Sequence, residues 1–81
     1  MDFESNYHEI IVDMLRKYNR RAHVKWIDYK NRISQEEFYE IREYLYENGY
    51  IKGDRHKRND LFKNDLENIQ TTQKGRSYIG R

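Results

Sequence analysis

The 81-residue sequence predicts one small α+β domain in which three helices precede an antiparallel hairpin and a short last helix. Three observations predict this class. The first is a full apolar face at helical spacing near the N-terminus, and the second is a helix between residues 34 and 49 with a start and a stop signal. The third is a pair of strand-like segments on either side of a polar loop, within residues 50–71.

The first predicted helix begins at Ser5 or Asn6 and ends at Tyr18. Asn6 and Glu9 have the spacing of a cap at its start. Apolar side chains recur on one side of it: Tyr7, Ile10, Ile11, Met14, Leu15 and Tyr18. This face predicts a helix that packs on the core.

Residues 19–33 leave two interpretations open. The stretch from Ala22 to Tyr29 fits a short second helix, which we favour, or a strand followed by a turn. Its apolar positions are few and poorly periodic: Val24, Trp26, Ile27 and Ile33. Trp26 is expected in the core or at its rim, and stacking on a base or a partner is the alternative.

The third helix is the best defined, because Ser34 and Glu37 form a capping box and Gly49 suits a left-handed residue after its end. Its apolar stripe is narrow: Phe38, Ile41 and Leu45. At about 100° per residue, four glutamates lie on the opposite side, here called the acidic row: Glu36, Glu40, Glu43 and Glu47. Tyr39 and Tyr46 lie along one edge of the acidic row, and Tyr44 along the other.

The hairpin strands are predicted near residues 50–52 and 67–71, and a third strand is compatible with the pattern. Leu61, Phe62 and Leu66 are expected to fold part of the intervening loop onto the body. Thr72 can cap the final helix. Gly75 is unfavourable inside a helix, which predicts a close approach to a neighbouring backbone.

Composition narrows the class of protein. Charged residues make up 37% of the chain, which approaches a disordered composition, but the periodic segments indicate a fold. There is no cysteine, no apolar run long enough for a membrane span and no signal-peptide pattern, so a cytoplasmic protein is expected. His8, His23 and His56 lack ligand spacing, and no phosphate loop or nucleophile motif is present. We therefore expect no metal, no cofactor and no enzymatic activity.

Charge alternates in blocks along the chain although its net value is only +2. Residues 1–15 and 34–48 are mainly acidic, whereas residues 16–32 and 52–63 are mainly basic. This alternation predicts a polarised surface.

The order of elements resembles a winged helix-turn-helix, and three segments are similar to the YjcQ-like family of small bacterial and phage proteins. These segments are Ile33–Phe38, Glu47–Gly53 and Thr72–Ile79. The last one, T-x-K-G-x-x-Y-[IL], recurs in many winged helices, and residues 19–30 differ from the family in length and in basic character. The resemblance implies the fold and a phage or mobile-element origin, but no activity.

A winged helix most often binds DNA, with the third helix in the major groove and the wing on the backbone. The predicted hairpin loop suits phosphate contact, because it carries Arg55, His56, Lys57 and Arg58. Four further cations could extend this patch: Arg20, Arg21, Lys25 and Arg32. The acidic row opposes base reading and leaves Gln35 as the candidate reader, so we expect duplex or single-stranded DNA to be bound with little sequence specificity.

The alternative function is protein binding through the third helix. The acidic row with Tyr39 and Tyr46 would suit a basic partner, such as a host or phage factor that the domain inhibits. It could also pair with the basic segment 16–32 of a second copy and form a homodimer. A solvated helix face is the plainer interpretation of the same glutamates.

Overall fold

The computed structural model describes residues 2–55 and 66–80, apart from the side chain of Arg55. Its helices are α1 (Phe3–Asn6), α2 (His8–Asn19), a 3-10 helix (Trp26–Tyr29), α3 (Gln35–Glu47) and α4 (Gln73–Ile79). Its strands are β1 (Ile51–Arg55) and β2 (Leu66–Thr71), which pair as an antiparallel two-stranded sheet. The predicted α+β class is confirmed.

The N-terminal helix is longer than predicted and is broken at Tyr7, whose backbone leaves the helical region with φ −121° and ψ 19°. The predicted cap at Asn6 is wrong, because Tyr7 precedes α2 and no side chain caps it. Aromatic packing accounts for the break. Phe3 lies 5.0 Å from the Tyr7 ring and 4.5 Å from the Tyr44 ring, measured between centroids, so α1 is anchored to α3.

The core lies between α2, α3 and the base of the hairpin. The predicted apolar stripes face inward, and the side chains of Ile11, Met14, Leu15, Ile41 and Leu45 are fully buried. Tyr18, Tyr29, Tyr50 and Tyr78 complete this core, because the chain has few aliphatic residues. Tyrosine rings supply the missing apolar area.

The prediction of a short helix from Ala22 was wrong at its start, because residues 22–25 have no regular secondary structure and only Trp26–Tyr29 form a 3-10 turn. Lys25 has extended backbone, and its N–H donates to the carboxylate of Asp28 at 3.4 Å. The half-buried Trp26 donates its indole N–H to the carbonyl of Ile33 at 3.0 Å, which confirms a place at the core rim.

Both predicted signals of α3 are confirmed. The Ser34 hydroxyl accepts the Glu37 amide at 3.1 Å, and the Glu37 carboxylate accepts the Ser34 amide at 2.9 Å. Gly49 has φ +78° and allows the chain to turn from α3 into β1.

A bulge interrupts the hairpin. Lys52 pairs with Gln70 and Asp54 with Glu67, so Asn68 and Ile69 both lie opposite Gly53. A Cβ atom at Gly53 would lie 2.8 Å from the carbonyl oxygen of Glu67, so glycine is needed at this position. The bulge therefore fixes the pairing of the two strands.

At the start of β2, Leu66 is buried as expected, whereas Leu61 and Phe62 lie outside the described residues. Thr72 caps α4 by accepting the Gly75 amide at 3.2 Å. A Cβ atom at Gly75 would lie 2.3 Å from the carbonyl oxygen of Tyr50, which confirms the predicted close approach. At this contact α4 lies directly against the start of the hairpin.

Gly75→Ala is expected to lower the free energy of unfolding by about 1–3 kcal/mol, because the added methyl group displaces the Tyr50 backbone. Gly80→Ala is the matched control, since its nearest neighbour would be 3.6 Å away. Urea unfolding of both variants measures the difference, and equal stability would contradict the assigned contact.

Candidate functional site

The acidic row lies on the outer side of α3. Glu36, Glu40 and Glu47 are exposed, and Glu43 is half-buried. Within residues 2–55 and 66–80, no hydrogen bond or ion pair engages the side chain of Glu36 or Glu47. The acidic row therefore presents negative charge where a reading helix would approach DNA.

The tyrosines beside the acidic row differ in their environment. Tyr44 donates its hydroxyl proton to Glu4 at 2.5 Å, and this hydrogen bond, together with burial, raises the pKa of Tyr44. This hydrogen bond therefore attaches α1 to α3. Tyr39 and Tyr46 remain half-buried on the opposite edge.

A cavity of about 550 Å³ opens beside that opposite edge. It lies between β2 and the segment that joins α2 to the 3-10 helix, here called the connector (residues 20–25). Residues 21–24 of the connector form one wall and residues 66–70 of β2 the other, while Tyr18 of α2 and Arg42 of α3 complete the lining. The cavity therefore joins four parts of the fold along β2.

Three side chains with basic groups meet at this cavity: Arg21, His23 and Arg42. The Arg42 guanidinium lies over the Tyr39 ring, 5.1 Å from its centroid, which holds the cation at this edge of α3. Sequence analysis missed Arg42 and His23. A helical projection could have indicated Arg42, because it places this residue on the Tyr39 and Tyr46 edge and away from the acidic row.

Two residues that line the cavity have a left-handed backbone conformation. Arg21 with φ +59° and Asn68 with φ +54° are the two non-glycine residues of the described chain with positive φ, and both line the cavity. Asparagine tolerates this conformation, but arginine adopts it at some cost. Arg21 owes its conformation to the end of α2, where its N–H donates to the Tyr18 carbonyl at 3.0 Å and the Ala22 N–H donates to the Lys17 carbonyl at 2.9 Å. Asn68 lies in the bulge of β2, so both positive φ values have a local structural cause.

The hydroxyl of Tyr18 is buried and has no hydrogen-bond partner within the described residues. Burial raises the pKa of Tyr18 to about 12, and the nearby positive charge of Arg42 opposes the rise. A buried donor without an acceptor destabilises a fold by about 1–3 kcal/mol. The wall of the cavity thus contains an unsatisfied donor next to a cation.

The residues predicted to bind nucleic acid differ in exposure and in their partners. Arg20, Arg21, Lys25 and Gln35 are exposed, whereas Arg32 forms an ion pair with Glu9 at 2.8 Å. That pairing reduces the charge that Arg32 can offer a phosphate. Arg55 ends β1, but its side chain and the predicted cations His56, Lys57 and Arg58 lie outside the described residues.

Tyr29 ends the 3-10 helix that follows the connector, and polar contacts hold it against α2. Its hydroxyl donates to the Asp13 carboxylate at 2.6 Å, and Lys17 lies 3.1 Å from that carboxylate and 4.7 Å from the centre of the Tyr29 ring. The hydrogen bond from Tyr29, assisted by Lys17, lowers the pKa of Asp13. Burial and the same hydrogen bond raise the pKa of Tyr29. This contact ties the 3-10 helix to α2 and so positions the connector.

Two kinds of site are not found in the described ranges. Residues 2–55 and 66–80 contain no group of three or more acidic or histidine side chains arranged to bind a metal ion. No helix in those ranges has the length and apolar character needed to span a membrane.

Comparison of the chain with protein-family models, with curated proteins and with solved structures returns no match. The cavity and the charged surfaces are therefore the basis for a functional proposal.

Tyr29→Phe is expected to lower the free energy of unfolding by about 1–2 kcal/mol at neutral pH, because a hydrogen bond to a charged carboxylate is lost. Since the folded-state pKa of Asp13 is depressed, this contribution is complete above the usual carboxyl pKa. It disappears as the pH falls through the folded-state value. Urea unfolding of both proteins from pH 7 to about pH 2 measures this change.

Tyr39→Phe is the matched control, because no hydrogen bond of the Tyr39 hydroxyl is seen in the described structure. It should leave stability nearly unchanged at every pH. A Tyr29→Phe difference that stays constant down to the lowest pH would contradict the assigned role of Asp13.

Proposed function

We propose that this domain is a winged helix-turn-helix that binds nucleic acid mainly through its hairpin and connector, with little base readout. The order of α2, the 3-10 helix, α3 and the two strands supports the fold. The passage from α3 through Gly49 directly into β1 also suits a wing. The resemblance of Thr72–Ile79 and the other segments to the YjcQ-like family adds a phage or mobile-element origin to the proposal.

One observation carries the binding proposal. Basic residues of the connector and of α3, namely Arg21, His23 and Arg42, line the cavity that β2 borders. Glu67 of β2 lines it too, so the two arginines exceed the carboxylate by one charge, and the sequence adds further cations with Arg55–Arg58. Cations clustered on a hairpin and its neighbour can neutralise successive phosphates.

The acidic row limits the mode of binding. If α3 entered a major groove with its outer side, Glu36 and Glu40 would face phosphates at close range. A carboxylate can accept a hydrogen bond from cytosine, but a row of four mainly repels the backbone. We therefore propose phosphate-dominated binding with the acidic row turned away from the nucleic acid.

Lys57→Ala combined with Arg58→Ala should weaken DNA binding. Each phosphate contact contributes about −0.9 to the slope of log K against log salt for duplex DNA, so losing two contacts should reduce the slope by about 2. Fluorescence anisotropy with labelled duplex and single-stranded DNA at several salt concentrations measures the slope.

The matched control is Arg16→Ala with Lys30→Ala, which removes the same charges from exposed positions on α2 and in the turn after the 3-10 helix, neither of which lines the cavity. The control should bind almost as the parent does. Equal loss in both variants would indicate a general charge effect, and absence of binding by the parent would refute the proposal.

A second candidate is protein binding through α3. It is favoured by the exposure of Glu36, Glu40 and Glu47 beside the half-buried rings of Tyr39 and Tyr46. Such a surface would suit a basic partner or the basic connector of a second copy. Tyr44 is excluded from this surface, since its hydroxyl serves Glu4.

Glu36→Lys with Glu40→Lys should abolish capture of a protein partner from nuclease-treated lysate of the native cell, because the reversed charges repel a basic surface. Glu36→Gln with Glu40→Gln is the graded control and should only weaken capture. Undiminished capture by the reversed variant would exclude this surface, and capture that disappears with nuclease alone would favour nucleic acid.

A further inference from the structure

We propose that the cavity between the connector and β2 binds one unstacked nucleotide, so that the domain prefers single-stranded nucleic acid to a duplex. This inference rests on the proposed nucleic-acid binding and specifies its ligand. The occupant would be one base with its adjoining phosphate.

The size of the cavity suits such an occupant. Its volume of about 550 Å³ lies within the range of sites that enclose small organic ligands. A stacked base pair cannot enter a cleft of this size. A duplex would therefore need to extrude a nucleotide, which costs a few kcal/mol, whereas a single strand avoids most of that cost.

The walls offer two of the three chemistries that a nucleotide requires. Arg21 and Arg42 can pair with a phosphate, and their two charges outweigh the Glu67 carboxylate in the same lining. Arg42 also lies against the Tyr39 ring. Val24 and Ile69, both half-buried, present apolar surface to the face of a base. Charge for the phosphate thus comes from the connector and α3, and apolar area for the base comes from the connector and β2.

Base edges supply the third chemistry. His23 and Gln70 line the same cavity and offer hydrogen-bond donors and acceptors. An amide and an imidazole can bond to more than one base. The cavity should therefore accept several bases, which agrees with the low specificity proposed above.

The chain provides a direct probe of occupancy, because Ala22 is its only alanine and lines the cavity. A protein labelled with ¹³C at the alanine methyl group gives one resonance from this site. Titration with a short single-stranded oligonucleotide should shift that resonance, whereas the duplex of the same sequence should leave it nearly unchanged. This measurement needs no substitution and does not depend on a variant folding.

Ala22→Trp tests the same point by filling the cavity without altering charge. Fluorescence anisotropy should show about a tenfold loss of single-strand affinity, in the range expected for one base contact, and less than about a twofold change for the duplex. Asn31→Trp adds the same side chain at an exposed turn outside the cavity lining and should bind as the parent does.

The outcomes separate the two proposals. If the parent binds both forms equally and the Ala22 resonance does not respond, the nucleotide site is refuted while nucleic-acid binding stands. If the parent binds neither form, both proposals fail. Tighter single-strand binding with a shifted resonance and a selective loss in Ala22→Trp would establish the site.

Discussion

Hydrogen bonds from tyrosine hydroxyls to carboxylates hold the helices of this domain in place. Tyr7 donates to Glu37 at 2.7 Å, Tyr29 donates to Asp13 at 2.6 Å, and Tyr44 donates to Glu4. The first and third of these bonds attach the N-terminal residues to α3, and the second joins the 3-10 helix to α2. A chain with eight tyrosines and few aliphatic residues thus obtains from one residue type both buried area and directional contacts.

This arrangement also determines which charges remain at the surface. Carboxylates on α1, on α2 and in the first turn of α3 accept hydrogen bonds from tyrosine hydroxyls, and Arg32 forms an ion pair with Glu9. The acidic row on α3 and the cations around the cavity are left on different sides of the same helix. A polarised surface over the whole domain, expected from the alternating charge blocks, stays a prediction.

Local signals allowed much of the fold to be predicted. The capping box of α3, the turn at Gly49 and the close contact at Gly75 depend on neighbours in sequence or on one steric requirement, and the residues themselves indicate them. The break at Tyr7 was not predictable, because it depends on packing between α1 and α3 that no local pattern encodes.

The candidate site was harder to predict for the same reason. The cavity brings together residues more than 40 positions apart, from Tyr18 to Gln70, and its shape depends on a bulge and on a connector without regular structure. The favoured helix from Ala22 to Tyr29 hid the wall that residues 22–24 form. The sequence indicated the exposed cations of the connector, but only the three-dimensional structure shows that Arg21 and Arg42 line the same cavity.

The bulge in β2 has a consequence for how the hairpin tolerates insertions and deletions. Leu66 and Thr71 are five positions apart, yet both are buried, although an uninterrupted strand would place them on opposite faces. The extra residue opposite Gly53 reverses the alternation of the strand midway. Removal of one residue at 68 or 69 would restore regular pairing but turn Leu66 outward. Burial of both ends of β2 therefore depends on the number of residues in this strand.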